Sequence, residues 1–534
     1  MEFIQSPMAR ITSLFSSDKM ESSNEKATIT VQSAKSYNET DDYTLVELSP
    51  GGNSGRVFPG LNSRPESVDG QKMYNAVVGL LVVLNSGVSS SLPSNAVPTI
   101  MQDFGLSADG HGQKVLPTSI FLIGYCIGPL VWSPLSETIG RRPVLFGSFT
   151  VFFLGTLGCA LAPNWTSLLI FRVICGTMAA APQTVVGGVY ADLFSDLRSR
   201  GRAMALYMSA SSFGPIIGPI ISGCSVQYGW RWTFRIDLIF SGLTWLGLLF
   251  YSETFAPVIL KKQASKLRKD TGCDRYFSPQ ELRKADAAFT LTQTITRPLT
   301  MLLFEPIILF TAIYISLAWS MVFFYFQAYP IIFEGIYGFD ISMTSLTYIP
   351  VGVGAASSCL FAFTYDIIYE KAKKLGKRWT SSPEYHRLPL SCAAGPLLAG
   401  SLFWLAWSAR ASVHWAVPVM SGLVFGMGYQ TTFISLLTYV TDAYRIYSAS
   451  ALAASVILRS IAGALFPLAA DPLYAKLGVS WATSVLGFAA MACMPIPFAL
   501  LYFGPWIRKR SPFCQRLLEE DLLKAGSGTR TPEA

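Results

Sequence analysis

The sequence predicts an all-α membrane protein that crosses the bilayer many times, folded as two six-helix bundles. Three observations carry that prediction. Hydrophobic residues make up 51% of the 534 residues and charged residues only 14%, where soluble domains carry about 25% charge. The apolar residues gather in runs of about 20, the length at which a helix crosses roughly 30 Å of hydrocarbon. Finally, one long basic segment divides those runs into two sets of six.

The elements follow in order. Residues 1–72 are rich in Ser, Asn, Thr, Asp and Glu and hold no apolar run long enough for a helix, so a disordered tail is expected. The N-terminal bundle, 73–255, has spans at 74–92, 116–133, 144–161, 168–190, 203–224 and 233–251. Each ends where charge, Pro or Gly accumulates. The second and third are separated by the polar stretch Pro134-Leu-Ser-Glu-Thr-Ile-Gly-Arg-Arg-Pro143, and the fourth and fifth by 192–202 with Arg198, Arg200 and Arg202. From 256 to 303 the apolar pattern stops in favour of Lys261, Lys262, Lys266, Arg268, Lys269 and further basic residues, which reads as a central loop. The C-terminal bundle, 304–505, has spans at 306–328, 346–365, 390–407, 417–439, 449–469 and 482–503, and a polar tail, 506–534, follows.

The basic clusters lie after the second, fourth, sixth and eighth spans and after the last, at Arg508-Lys-Arg510. Positive-inside placement then puts both termini and the central loop in the cytoplasm. The net charge of +8 is thus a topology signal, with no nucleic-acid partner implied. Nine scattered Cys without a CxxC pair give neither a disulfide framework nor a metal site, and the three His fall in or near loops. No Ser-His-Asp arrangement, P-loop or HExxH is present, which excludes an ATP-driven pump and an intramembrane enzyme. Asn164-Trp-Thr166, on the outer side, matches the N-glycosylation acceptor pattern, although it sits very close to two spans.

Polar residues inside spans are the candidate functional groups, because lipid penalises them. Arg172 lies well within Leu169–Gly176 and either faces the bundle interior or snorkels to a rim as an anchor. Asp237 is the main deep acid. In the 134–143 stretch, Glu137 and the pair Arg141/Arg142 can form a clasp between helix ends, with Gly140 supplying the turn. The run Ser212-Phe-Gly-Pro-Ile-Ile-Gly-Pro-Ile-Ile-Ser-Gly223 combines small residues for close helix approach with prolines that free carbonyls. Asn85, Gln183, Tyr325, Gln327 and Gln430 are the amides and the phenol that would line a substrate site.

These stretches resemble the major facilitator superfamily, and within it the fungal twelve-helix drug:proton antiporters. Leu135, Gly140, Arg141 and Arg142 match the loop motif between helices two and three; Glu137 stands where Asp is commoner, Ser133 where Gly begins the motif and Thr138 where Arg is frequent. Arg172 and Gly176 match the fourth-helix motif, and Gly214, Pro215, Gly218, Pro219 and Gly223 match the antiporter motif of the fifth, with Ser222 replacing a Gly. Further matches are Trp230-Arg-Trp232, Glu253–Pro257, Arg297-Pro298, Glu305-Pro306, Pro383–Leu388 and Ser448–Pro467 around Arg459. The resemblance implies conformational gating by Glu137, Gly140, Arg141 and Arg142, and proton coupling at Arg172, with Asp237 the candidate carboxylate. It also implies export of a hydrophobic, aromatic small molecule, a metabolite or a xenobiotic, driven by the proton gradient without a cofactor. A monomer at the plasma membrane is expected, with the vacuolar membrane as the other location. Export of polyamines or small organic cations is the alternative reading. It fits less well, since polycations require several buried carboxylates; a non-transporting sensor is the second alternative.

Overall fold

Long apolar runs in hydrocarbon must satisfy their backbone internally, and the chain does so with helices. The computed structural model describes residues 27–35, 42–50, 65–106, 112–194, 197–272, 276–278, 287–444 and 448–515. The first bundle comprises α1 (Pro65–Ser91), the short α2 (Val97–Asp103), α3 (Leu116–Ile139), α4 (Arg141–Ala160), α5 (Trp165–Leu193), α6 (Leu197–Ser225) and α7 (Trp230–Leu249). Two helices, α8 (Ala256–Thr271) and α9 (Ala287–Phe304), connect it to the second. That bundle comprises α10 (Pro306–Tyr329), the short α11 (Ile341–Leu346), α12 (Ile349–Lys374), α13 (Leu388–Ser408), α14 (Ala416–Tyr444), α15 (Ser448–Leu465), α16 (Ala470–Cys493) and α17 (Pro495–Arg510).

Among the described residues, ten stretches are long and apolar enough to cross a membrane. The expected twelve differ from these in two places. Helix α7 falls short because Arg231, Arg235 and Asp237 dilute its hydropathy, while α15, α16 and α17 join into one stretch, Ser450–Arg510, long enough for two crossings. Within that stretch the chain turns at Gly478 (φ 68°), whereas Met494, between α16 and α17, keeps helical backbone angles (φ −57°, ψ −33°).

Three expected loops are more ordered than the sequence reading held. The stretch 134–143 is helical except at Gly140, whose φ of 108° makes a one-residue break between α3 and α4. Residues 256–303 contain α8, α9 and a two-residue strand, β3 (Tyr276–Phe277); α8 is amphipathic and buries Val258, Leu260 and Ala264. The tail, 1–72, expected to be disordered, holds β1 (Ala27–Lys35) and β2 (Asp42–Pro50), and α1 already starts at Pro65. The strands pair antiparallel, and Thr44 and Leu45 of β2 run parallel to Tyr276 and Phe277 of β3. The alternation in Ala27-Thr-Ile-Thr-Val31 is a strand signal that the polar composition concealed. The rest of that tail and most of 506–534 lie outside the described residues.

Within the first bundle α3 lies along α5 and α1 along α6; within the second, α14 packs between α12 and α13. The bundles meet where α3 faces α15 and where α6 faces α11, α12 and α14. The α1–α6 contact shows why small residues were needed. Gly87 and Gly214 face each other so closely that a Cβ on Gly214 would lie 2.7 Å from the Gly87 Cα.

Candidate functional site

Hydrogen bonds cross between the bundles at two levels. At the end where α6 finishes, Asn95 Nδ2 donates to Ser345 Oγ (2.7 Å), Ser342 Oγ to the Gly223 carbonyl (3.2 Å), and Ser119 Oγ to the Ala464 carbonyl (2.7 Å). In the middle of α6, Ser209 Oγ lies 3.0 Å from Cys359 Sγ. Near that level, Arg459 of α15 reaches across to Gln183 of α5, donating from Nη2 to Oε1 at 3.2 Å.

Arg459 is 2% exposed, and its guanidinium lies over Trp319 (4.7 Å) and Phe433 (5.1 Å). A guanidinium at the centre of a spanning helix is unfavourable by about 3 kcal/mol even on insertion scales, and each such ring contact returns about 0.5–2 kcal/mol. Its charge also acts on the phenols of Tyr125, Tyr207 and Tyr429. Ser211 Oγ donates to the same Gln183 oxygen (2.6 Å), and Tyr207 Oη donates to the Gln183 carbonyl. From Phe433 an aromatic wall runs along α14 at four-residue spacing, through Tyr429 to Phe425, which stacks on Tyr325 of α10 at 4.2 Å. Polar atoms along this region lack hydrogen-bond partners among the described residues: Gln183 Nε2, both amide atoms of Gln430, the Tyr325 and Tyr429 hydroxyls and Trp319 Nε1.

Of the residues expected to line a site, Gln183 thus meets Arg459, Tyr325 belongs to the aromatic wall, and Gln430 follows Tyr429 on α14. Asn85 is fully buried in α1 with both amide atoms unpartnered. Gln327 is only half-buried, on a different face of α10 from Tyr325 and its wall. Arg459 was missed as a site residue, although the signal was there. It is an Arg deep in an apolar run, as Arg172 is.

Arg172 differs in how it is satisfied. Its three nitrogens donate to carbonyls of Pro117 (3.0 Å), Ser89 (2.8 Å) and Ser90 (3.1 Å), and it stacks over Phe121 at 4.4 Å. It therefore faces the bundle interior and ties the end of α1 and the start of α3 to α5, and it is no rim anchor. Asp237 is buried nearby, with the Ser89 hydroxyl and Arg172 as the groups that favour its charge, and neither carboxylate oxygen has a partner at full hydrogen-bond geometry. It lines a cavity of about 290 Å³ whose other walls are apolar, among them Leu84, Ile217 and Phe240.

The clasp forms, but not with the expected acid. Arg141 is bound to Asp192 at the end of α5 (3.4 Å) and to Ser136 Oγ (2.7 Å), and Gly188 leaves room for its guanidinium. Glu253 caps α4, accepting from the backbone N–H groups of Arg141 (2.9 Å) and Arg142 (3.2 Å), where the helix dipole favours an anion. Arg142 donates to the Leu249 carbonyl at 3.1 Å. Glu137, one turn before the break, is not within ion-pair distance of either arginine, although it senses the charge of Arg141 and, less strongly, of Arg297 in α9. Burial pushes the Asp192 carboxyl above its ordinary value, and Arg141 pulls it back.

The second bundle repeats this clasp. Arg387, just before α13, binds Asp366 (3.0 Å) and Asp442 at the end of α14 (3.2 Å). Arg141-Arg-Pro143 and Arg387-Leu-Pro389 share an Arg-x-Pro spacing at a helix start, each followed by an Asp near the end of the next helix.

In the fifth-helix motif, Pro219 has no N–H to offer the Pro215 carbonyl, and Ser91 Oγ supplies the missing donor at 2.7 Å. Asn95 Nδ2 donates to the Pro219 carbonyl (3.1 Å), and Gly218 fits against Ser91 and the Val88 carbonyl. Gly214, Pro215, Gly218 and Pro219 thus join α6 to α1, whereas Gly223 abuts Ser345 across the bundle boundary. Asn164 is the N-cap of α5, its Oδ1 accepting from the Ser167 N–H at 2.8 Å.

Comparison with known proteins agrees with this architecture. Residues 79–467 match the family model described as Major Facilitator Superfamily. The chain is 36% identical over 438 residues to the efflux pump FUBT of Fusarium oxysporum, covering 81% of this chain and 72% of that one. It is 35% identical over 433 residues to the major facilitator superfamily multidrug transporter mdrA of Aspergillus fumigatus, covering 80% and 70%. Among solved structures, the xylose transporter XylE from E. coli superposes with a TM-score of 0.57 at 16% identity, over 81% of this chain and 98% of that one. The chain belongs to the major facilitator superfamily, as a multi-pass membrane transporter related to fungal multidrug and secondary-metabolite efflux pumps.

Proposed function

We propose that this efflux pump is a proton-coupled antiporter that exports hydrophobic aromatic small molecules by alternating access, with both termini in the cytoplasm of a plasma-membrane carrier. The observation that carries the reading is the buried junction of Gln183 and Arg459 between the bundles, beside an aromatic wall with unpartnered amides and phenols. Burying polar groups without partners is unfavourable by about 1–3 kcal/mol each, which a bound substrate would relieve. Such a site midway between duplicated bundles is where rocking exposes cargo to alternate sides.

Proton coupling is assigned to Asp237, with Arg172 as the fixed charge beside it. A carboxylate buried in apolar walls is costly to keep charged, and a cation held by three carbonyls makes the energy of its protonation depend on their spacing. Glu137, Gly140, Arg141 and Arg142 belong to the gating end, where Arg141 acts through Asp192. The test compares metabolites in cells and medium with the protein intact, deleted, or carrying Asp237→Asn or Arg172→Ala. Aromatic metabolites should accumulate inside all three altered strains, and a protonophore should abolish uphill export by the intact protein. Normal uphill export by Asp237→Asn would move the proton site elsewhere. Accumulation of polyamines alone would favour the cation-antiporter alternative.

A further inference from the structure

The two buried arginines are satisfied in opposite ways. Arg172 spends its donors on three backbone carbonyls of its own bundle. Arg459 has one side-chain hydrogen bond, to a neutral amide belonging to the other bundle, and its Nε is buried without a partner. No carboxylate lies within ion-pair distance of it among the described residues, and the groups that sense its charge are neutral phenols. A guanidinium lying against both Trp319 and Phe433, whose stacked rings are 5.7 Å apart, is restricted in position by the two rings.

We propose that Arg459 is the substrate-charge selector of this pump, and that the cargo carries an anionic group, a carboxylate or its equivalent, on an aromatic body. The proposal rests on the export reading and narrows it. The planar fork of Nε and Nη2 fits two oxygens of a carboxylate in the paired geometry that makes such hydrogen bonds strong. To take it, the anion displaces Gln183 Oε1 from Nη2, leaving that oxygen to Ser211 Oγ. The aromatic wall of Tyr429, Phe425 and Tyr325 then offers stacking surface to the body of the molecule. Because the Gln183–Arg459 bond joins the bundles, displacing it also loosens their central contact. Cargo binding and bundle release are one event.

The same charge disfavours cations. An ammonium entering this junction meets a fixed positive group with no acid to offset it, and that separates this site from one for polyamines.

The test begins by identifying which compounds accumulate in cells of the source organism when the gene is deleted and are cleared when it is restored. Organic acids are expected. If neutral or cationic compounds accumulate instead, the charge assignment is overturned while the export reading stands; if nothing accumulates, both fall. The cleared acid and its primary amide are then compared in inside-out vesicles bearing wild-type protein, Arg459→Gln or Gln183→Ala. Monodisperse elution in detergent verifies that each variant is folded. The acid-to-amide ratio of initial uptake rates should fall at least about tenfold in Arg459→Gln, and half-saturation by the acid should shift to lower concentration in Gln183→Ala, which has no competing amide. A merely structural Arg459 would lower both rates together and leave the ratio unchanged, which overturns the proposal.

Discussion

At the residue scale, buried polar groups here are distinguished by what they are bound to, more than by residue type. Asp103 is a surface example. It accepts from Trp230 Nε1 (2.9 Å) and Arg231 Nη1 (3.0 Å), and these bonds, the indole first, hold its carboxyl below the ordinary value of 3.8. A depressed folded-state value means that its stabilising contribution is complete above 3.8 and is lost as pH falls through the lower folded value. Asp103→Asn should therefore lower the melting temperature by a constant amount from about pH 5 to 8, and the gap to wild type should close only in strong acid. A gap that closed near neutrality would mean that the carboxylate is not held down. The sequence showed Arg172, Asp237 and Gln183 because charge or amide in an apolar run stands out. It did not show that Asp192, rather than Glu137, pairs with Arg141. Glu137 is nearer in sequence, but it stays on α3, which continues through Pro134 to Ile139, while α5 returns Asp192 to within 3.4 Å of Arg141.

At the element scale, the fifth-helix motif was legible as a close-packing surface, and the structure supplies its partner. Gly87, in α1, carried no proline beside it and drew no notice, yet it makes the closest approach to Gly214. Overpacking a site bounded by backbone atoms destabilises by about 1–3 kcal/mol. Gly214→Ala and Gly87→Ala should each lower thermal stability by that order, and the double variant should lose less than the sum, since one displacement of α1 from α6 accommodates both methyl groups. Strict additivity in a thermal-unfolding cycle would show that the two glycines do not share a contact. The elements that the sequence concealed are those whose order comes from partners. β2 lies against β3 more than two hundred residues away, and α8 buries only one narrow face, so neither gives a long apolar run.

At the scale of the whole molecule, two bundles with matching Arg-x-Pro clasps meet through hydrogen bonds at the end where α6 finishes and in the middle. The duplication could be read from six runs on each side of a basic segment. The pairing of the halves could not, because hydroxyls such as Ser119, Ser209 and Ser345 carry no sequence signal. Their positions allow a direct check of rocking. Ser209→Cys would place a second thiol beside Cys359, with Ser209 Oγ now 3.0 Å from Cys359 Sγ. Oxidation should then link α6 to α12 and stop export, and a thiol reductant should restore it. Undiminished export by the fully oxidised variant would show that α6 and α12 need not part during the cycle.

The ties at the end where α6 finishes also bear on what the carrier does while idle. A gradient-driven machine that rested with one mouth open to each side in turn would let ions slip inward on every empty cycle and short-circuit its own power supply. Here the bonds Asn95–Ser345, Ser342–Gly223 and Ser119–Ala464 hold the bundles together at one end, each weak enough to break singly. If protons drive export as proposed, that seam holds back leakage without any dedicated plug.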